Sequence, residues 1–331
     1  MLTPGKKPPN AAPVTRRFPA KLGTGKPPLF VVVSFDGAGD LPLWVHWRKI
    51  AKQVDARMTF FLSGPYVYPE TRRTNYKPPY KKPGASDIGW AGPDKILRRA
   101  AVLRQAIAEG HEIGTHANGH FCGKDGVGRW TAAQWTAELT AFDAMVTNGP
   151  TLAAGKKLAP PFDPATVKGM RTPCLEGNRP AYRQVMRQRG MLYDASEPGY
   201  LAWPKKSDGL WNFPLQSVEL AGTHRNTLTM DYNLWFTQTA AHEAPAAQAP
   251  RLKAQGARDL PAGPGAVARG RQPAAVPRQP LQPLEQQRVL RRPHHLRRGD
   301  LHPARRPLRQ QHRTGGLAGA VRRTEDAAAV N

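Results

Sequence analysis

Between residues 29 and 214, short apolar runs alternate with stretches of helical spacing, and this alternation limits the possible folds most. Leu29–Phe35, Arg57–Leu62, His111–Thr115, Lys168–Arg171, Met191–Tyr193 and Leu210–Pro214 read as strands. Leu43–Val54 carries Leu43, Trp47, Ile50 and Val54 at helical spacing. Asp94–Glu109 follows Pro93 and stops at Gly110. Thr131–Val146 lines up Trp135, Leu139 and Phe142 behind a capping threonine, and Arg179–Arg189 closes at Gly190. Asn226–Met230 adds extended chain. Strand–helix alternation implies a parallel sheet with helices packed on it. The first run is apolar throughout, so it is expected to be covered on both faces.

In a parallel barrel, reactive residues collect at the C-terminal ends of the strands. Here those ends carry Asp36, Ser63-Gly64, His116 with His120, Arg171-Thr172-Pro173-Cys174, and Asp194-Ala195-Ser196. Two imidazoles four residues apart after a strand make a half-site for zinc or another transition metal. The plainer alternative is two solvent-facing loop histidines. Asp36 in Asp36-Gly37-Ala38-Gly39-Asp40 reads equally as an Asx-turn residue, Arg171 as a surface arginine, and Asp194 with Ser196 as a capping pair. Cys122 and Cys174 follow two strand ends on the same face. A disulfide between them and thiolate ligation of a metal are both open.

Composition divides the 331 residues. The formal charge is +25, which alone would suggest an anionic partner. Yet every aromatic residue lies at or before Phe236, and 237–331 contains no Phe, Trp, Tyr, Ile, Met, Cys or Ser. A stretch so poor in core-forming residues and so rich in Ala, Arg and Pro is expected to be disordered. It has the composition of either a basic tail or an out-of-frame reading of a GC-rich gene. Residues 1–28 read as a Pro/Lys-rich linker, 29–236 as the folded domain and 237–331 as the tail. No zinc-finger, helix-turn-helix or aromatic-basic RNA motif accompanies the charge, so no nucleic-acid partner is expected. No membrane-spanning run or signal peptide is evident.

The strand-end residues together resemble the polysaccharide deacetylases of the NodB-homology type, carbohydrate esterase family 4. Ser34-Phe35-Asp36-Gly37-Ala38 is similar to that family's Thr-Phe-Asp-Asp-Gly. His116-Ala117-Asn118-Gly119-His120, within Gly-His-Glu-Ile-Gly, is similar to its His-Ser/Thr-x-x-His. Arg171-Thr172-Pro173 corresponds to its Arg-x-Pro, and Asp194-Ala195-Ser196 to the start of its Asp-x-Ser-x-Trp, with Pro198 in place of Trp. Thr59-Phe60-Phe61-Leu62 also matches its second strand.

The resemblance covers residues 29–236 and implies a distorted (β/α) barrel, incomplete at its C-terminal end. It also implies a metal-dependent hydrolase that removes acetyl groups from chitin, peptidoglycan or a xylan-like polysaccharide. Asp36 would be the general base, His116 and His120 the ligands of a divalent metal, most simply zinc, and Arg171 the partner that orients a carboxylate through a bidentate pair. Thr172, Pro173, Cys174, Asp194 and Ser196 would border the substrate. Tyr66, Tyr68, Tyr76 and Tyr80, on the long 65–93 loop, would stack on sugar rings, while Trp44, Trp47, Trp135 and Trp211 would belong to the core. A Pro/Lys-rich linker such as 1–28 often follows an export signal, so a secreted or cell-surface origin is expected.

Two departures stand out. Gly37 occupies the position of the family's metal-binding carboxylate, leaving Asp36 or Asp40 to fill the gap. The late histidine that serves as general acid has no counterpart before the tail. The alternative function is therefore a catalytically impaired, carbohydrate-binding relative.

Overall fold

A computed structural model of the chain describes residues 30–259, apart from 201 and 221–222. The linker assigned to 1–28 and the tail from 260 onward lie outside the described residues.

Four strands come first: β1 (Ser34–Gly37), β2 (Thr59–Leu62), β3 (Glu112–Thr115) and β4 (Gly169–Met170). They are followed by β5 (Tyr193–Asp194), β6 (Pro198–Gly199), β7 (Lys205–Ser207), β8 (Leu210–Asn212), β9 (Leu215–Leu220) and β10 (Arg225–Leu228). The helices are α1 (Leu41–Gln53), α2 (Pro93–Ala108), α3 (Ala132–Ala154), α4 (Arg179–Gln188), α5 (Asp231–Thr239) and α6 (Ala249–Asp259). One sheet has the order β1-β2-β3-β4-β5-β8-β7, parallel except for the β7–β8 hairpin; a second has the order β10-β9-β6. The fold is mixed α/β, with each of the first four crossovers carrying a helix, as the alternation of the sequence implies.

The strands sort their side chains by alternation rather than burying both faces alike. Phe35, Phe60 and Ile113 share one register row. They face α1, where Trp44 stacks on Phe60 at 3.9 Å between ring centroids and Trp47 meets Phe35 at 5.0 Å. The adjacent row is Asp36, Phe61 and Gly114, on the inner face.

That inner face is strongly curved. The rings of Phe61 on β2 and Tyr193 on β5 come within 6.4 Å, although two strands lie between them. Neighbouring flat strands sit about 4.8 Å apart, so the contact needs both curvature and empty space. Gly114 and Gly169 supply the space: a Cβ on Gly114 would lie 2.6 Å from Phe61, and one on Gly169 would overlap the Tyr193 ring. Before the first strand, Phe30 packs against Trp203 from the far edge of the sheet, 5.6 Å between centroids. The edges therefore approach, but among the described residues no strand pairs with the free side of β1.

The core lies between the convex face and α1–α4. Trp135, Leu139, Phe142 and Val146 of α3 are buried, each stabilising the fold by about 1.5–3 kcal/mol through area removed from water. Thr131 and Gln134 close a reciprocal capping box at the start of α3. The helix runs eight residues past the expected end at Val146, with Pro150 buried inside it.

Three expectations need correction. The first strand begins at Ser34, not Leu29. Val31 and Val32 are exposed, because β2 begins only at Thr59, whose N–H donates to the Val33 carbonyl. Tyr66, Tyr68 and Tyr76 are buried rather than presented to sugar, since their loop packs down over α2 and α3; Tyr80 is exposed. Trp44 and Trp135 lie in the core as expected, whereas Trp211 is exposed on β8.

The boundary expected after Phe236 falls within α5. Beyond it α6 buries Leu252 against the second sheet, so the structure carries helix to Asp259. A single leucine at the right position on an amphipathic helix is enough to seat it on an existing sheet face.

Candidate active site

The ends of β1, β3 and β4 bring Asp36, His116 and Arg171 together. Pairing of β3 with β4 continues past their ends, where the Arg171 N–H donates to the Thr115 carbonyl at 3.1 Å. His116 Nδ1 donates to the Arg171 carbonyl at 2.8 Å. That bond fixes the tautomer and leaves Nε2 as a free lone pair, the form a metal requires. The His120 ring lies 5.0 Å from that of His116. The intervening turn is tight, with Ala117 and His120 both at φ 56°.

Burial lowers the pKa of both histidines. For His116 it outweighs the opposing pull of Asp36, and for His120, aided by the neighbouring His116, it reaches about 3. Both rings are therefore neutral near pH 7.

Asp36 has the opposite balance. Burial would raise its pKa, but the charge and hydrogen bond of the Arg171 guanidinium hold the carboxylate ionised below its ordinary value. Arg171 is buried beside it and donates one N–H to Asp36 Oδ1 at 2.8 Å. The pair is single-pronged rather than the expected fork, because Arg171 Nε donates to the Ala195 carbonyl instead, at 3.1 Å. The guanidinium also lies over the Phe61 ring, 4.7 Å from its centroid.

Other sequence candidates take supporting places. Asp194 and Ser196 are fully buried. Asp194 accepts from Tyr182 at 3.0 Å and from the Ser196 N–H at 2.9 Å, while Ser196 Oγ accepts from the Thr172 N–H at 2.9 Å. They brace the Arg171–Cys174 turn from behind. Thr172 and Pro173 are buried in that turn, and Cys174 is bonded to Cys122 in a disulfide. Asp40 is committed elsewhere: its Oδ1 caps α1 by accepting from the Leu43 N–H at 2.8 Å.

Two further acidic residues bear on the site. Glu138 on α3 is buried and accepts from the Tyr76 hydroxyl at 2.8 and 3.0 Å and from the Asn118 N–H at 2.9 Å. Its backbone carbonyl accepts from Asn118 Nδ2 at 2.8 Å, and the Gly119 N–H donates to the Tyr76 hydroxyl at 3.2 Å. Glu138 thus clamps the turn that carries both histidines. With no cation beside it, burial pushes its pKa up to about 7. Its signal was its place on the helix, three residues after Trp135 and four before Phe142, a carboxylate on the apolar stripe.

The second residue, Asp231, opens α5. Burial, with some help from the Asp36 charge, raises its pKa to about 6.

As a metal centre this arrangement is half-complete. His116 and His120 have the right chemistry. The carboxylate next to them belongs to Arg171, and Gly37, at φ 73°, supplies no side chain. Among the described residues, the three-donor cluster whose ligand atoms all lie within 4.8 Å of one another is instead His120, Cys122 and Cys174.

No protein-family model matches the chain, and no curated protein matches it. Solved structures do. A putative polysaccharide deacetylase from Mycobacterium smegmatis aligns at 18% identity and a TM-score of 0.37, over 65% of this chain and 64% of its own. A family 4 acetyl xylan esterase from Clostridium thermocellum, solved with a cobalt ion, aligns at 18% identity and a TM-score of 0.30, over 51% of this chain and 57% of its own. A family 4 pseudoenzyme from Bacillus anthracis aligns at 16% identity and a TM-score of 0.29, over 49% of this chain and 41% of its own. The chain thus spans less than two thirds of the length of each of these proteins.

Proposed function

We propose that this chain is a metal-dependent hydrolase that removes acetyl groups from an acetylated polysaccharide of the chitin, peptidoglycan or xylan type. The observation that carries the reading is Asp36 at the end of β1, paired with Arg171 at 2.8 Å, on the same side of the sheet as the His116 and His120 rings, 5.0 Å apart, after β3. His116 and His120 would hold a divalent cation, most simply zinc given two imidazole donors. Such a cation, when bound, supplies Lewis-acid polarisation of a carbonyl and acidifies water.

Asp36 takes the proton from the attacking water, whose oxygen adds to the acetyl carbon. Arg171 keeps Asp36 deprotonated and aimed. The carbon–nitrogen or carbon–oxygen bond to the sugar then breaks, and the departing atom needs a proton. Asp231, protonated up to about pH 6 by its burial, is a carboxyl in this region able to give one in mildly acidic medium, in place of the missing late histidine. The Cys122–Cys174 disulfide favours an oxidising compartment, in keeping with a secreted protein acting at a cell wall.

Acetate release from a panel of acetylated glycans, measured with added zinc and with chelator, tests the reading. Zinc-dependent release supports it; no release from any glycan refutes it. Gly37 favours a second reading, an impaired carbohydrate-binding relative. That protein would bind acetylated glycan without releasing acetate.

A further inference from the structure

His120 sits between two donor sets. On one side is His116. On the other, Nδ1 lies 3.9 Å from Cys122 Sγ. We propose that reduction of the Cys122–Cys174 disulfide creates a second, thiolate-rich metal site built from His120, Cys122 and Cys174. The site takes a soft-tolerant divalent cation such as zinc and draws His120 away from His116.

The donor atoms are already gathered. One atom from each of the three residues falls within 4.8 Å of the others, and all three residues are half-buried, within reach of a reductant. Tetrahedral zinc with bonds of about 2.3 Å to sulfur and about 2.0 Å to nitrogen needs donors about 3.5–3.8 Å apart. Side-chain rotation supplies that spacing from here. Water would take the fourth position.

The two loops that carry the cysteines are also held together independently of the disulfide. The Gly123 N–H, next to Cys122, donates to Glu176 Oε2 at 2.5 Å, two residues past Cys174. His116 Nδ1 donates to the Arg171 carbonyl at 2.8 Å, three residues before Cys174. Breaking the sulfur–sulfur bond therefore leaves both sulfurs near His120. Two cysteinyl sulfurs and an imidazole form a well-matched zinc set.

The chemistry balances. A dithiol reductant gives two electrons and two protons, the Sγ–Sγ bond breaks, two thiols form, and the reductant leaves as its own disulfide. Binding of the cation then releases both thiol protons to solvent.

The test uses the full chain and cobalt(II) and zinc as probes, comparing oxidised protein with protein reduced by a phosphine. The expected result is a thiolate-to-cobalt charge-transfer band only in the reduced protein. Zinc should displace the cobalt at one equivalent, at least 100-fold more tightly than from a Cys122→Ser/Cys174→Ser variant. His116→Ala should leave the band intact, and His120→Ala should weaken affinity at least tenfold. Absence of the band from reduced wild-type protein would overturn the inference, as would retention of full affinity in His120→Ala. The oxidised and reduced forms are the same chain, so the comparison does not depend on whether any variant folds. A chain that releases no acetate but shows the band would refute the proposed function and leave this inference standing.

Discussion

Asp36, half-buried, and Glu138, fully buried, are carboxylates of one site, and they behave in opposite ways. Asp36 has Arg171 against it and stays ionised below its ordinary pKa. Glu138 is met only by neutral donors, the Tyr76 hydroxyl and the Asn118 amide, and its pKa climbs to about 7. A buried acid is a base only when a cation shares its burial. With neutral donors alone it becomes a clamp that holds backbone in place. The placement fits the division: Asp36 stands at the end of β1 against Arg171, and Glu138 stands behind the histidine turn.

The largest effect is expected from making Asp36 resemble Glu138. Arg171→Met removes the cation and leaves a buried carboxylate alone, so stability should fall by about 3–5 kcal/mol. Asp36 should then titrate higher, and the acidic limb of any acetate-release profile should move up in pH. Chemical denaturation and a pH–rate profile check both. An unshifted limb would mean that Arg171 does not set the charge of Asp36.

The next effect is on the pH dependence of stability. The folded-state pKa of Glu138 is raised to about 7 from the usual carboxylate value of 4.5. In this window the folded state binds more protons than the unfolded one. Raising pH from about 4.5 to about 7 therefore removes stability, on the order of 2 kcal/mol from this group. Asp36 has the opposite sign: its depressed pKa adds stability above the unfolded value, which is lost as pH falls through the folded one. Glu138→Gln should flatten the decline between about pH 4.5 and about pH 7. Urea midpoints across that range in both proteins measure it, and equal slopes would contradict the assignment.

A smaller change is expected from Tyr76→Phe. It removes the hydroxyl shared by Glu138 and the Gly119 N–H, which should cost about 1–2 kcal/mol. The histidine turn should loosen, with faster amide exchange at Asn118 and Gly119. Unchanged exchange there would mean that Tyr76 packs without clamping.

The same contrast explains what the sequence made legible. Asp36, His116 and Arg171 were readable because each follows an apolar run, and in parallel α/β folds the strand ends meet on one side. Glu138 was hidden because a glutamate in a helix is usually solvated. Only its spacing from Trp135 and Phe142 marked it, and that spacing says nothing of the Tyr76 hydroxyl 62 residues away in sequence. The burial of Tyr66 and Tyr68 was unreadable for a related reason: a loop rich in Pro, Lys and Tyr carries no periodicity that tells which side packs down. Asp194 and Ser196 sit at a strand end like Asp36 does, yet point into the protein. Strand-end position brings residues to the site's side of the sheet, and the alternation of the strand then decides which of them face it.

Asp36→Asn is the most direct test of the proposed chemistry. It keeps the shape and the contact with Arg171 and removes only the base. Acetate release and bound zinc should be measured together in the wild-type chain and this variant. The expected result is zinc retained in both and release slowed by about two to four orders of magnitude in the variant. Equal release from the two proteins would contradict Asp36 as the base.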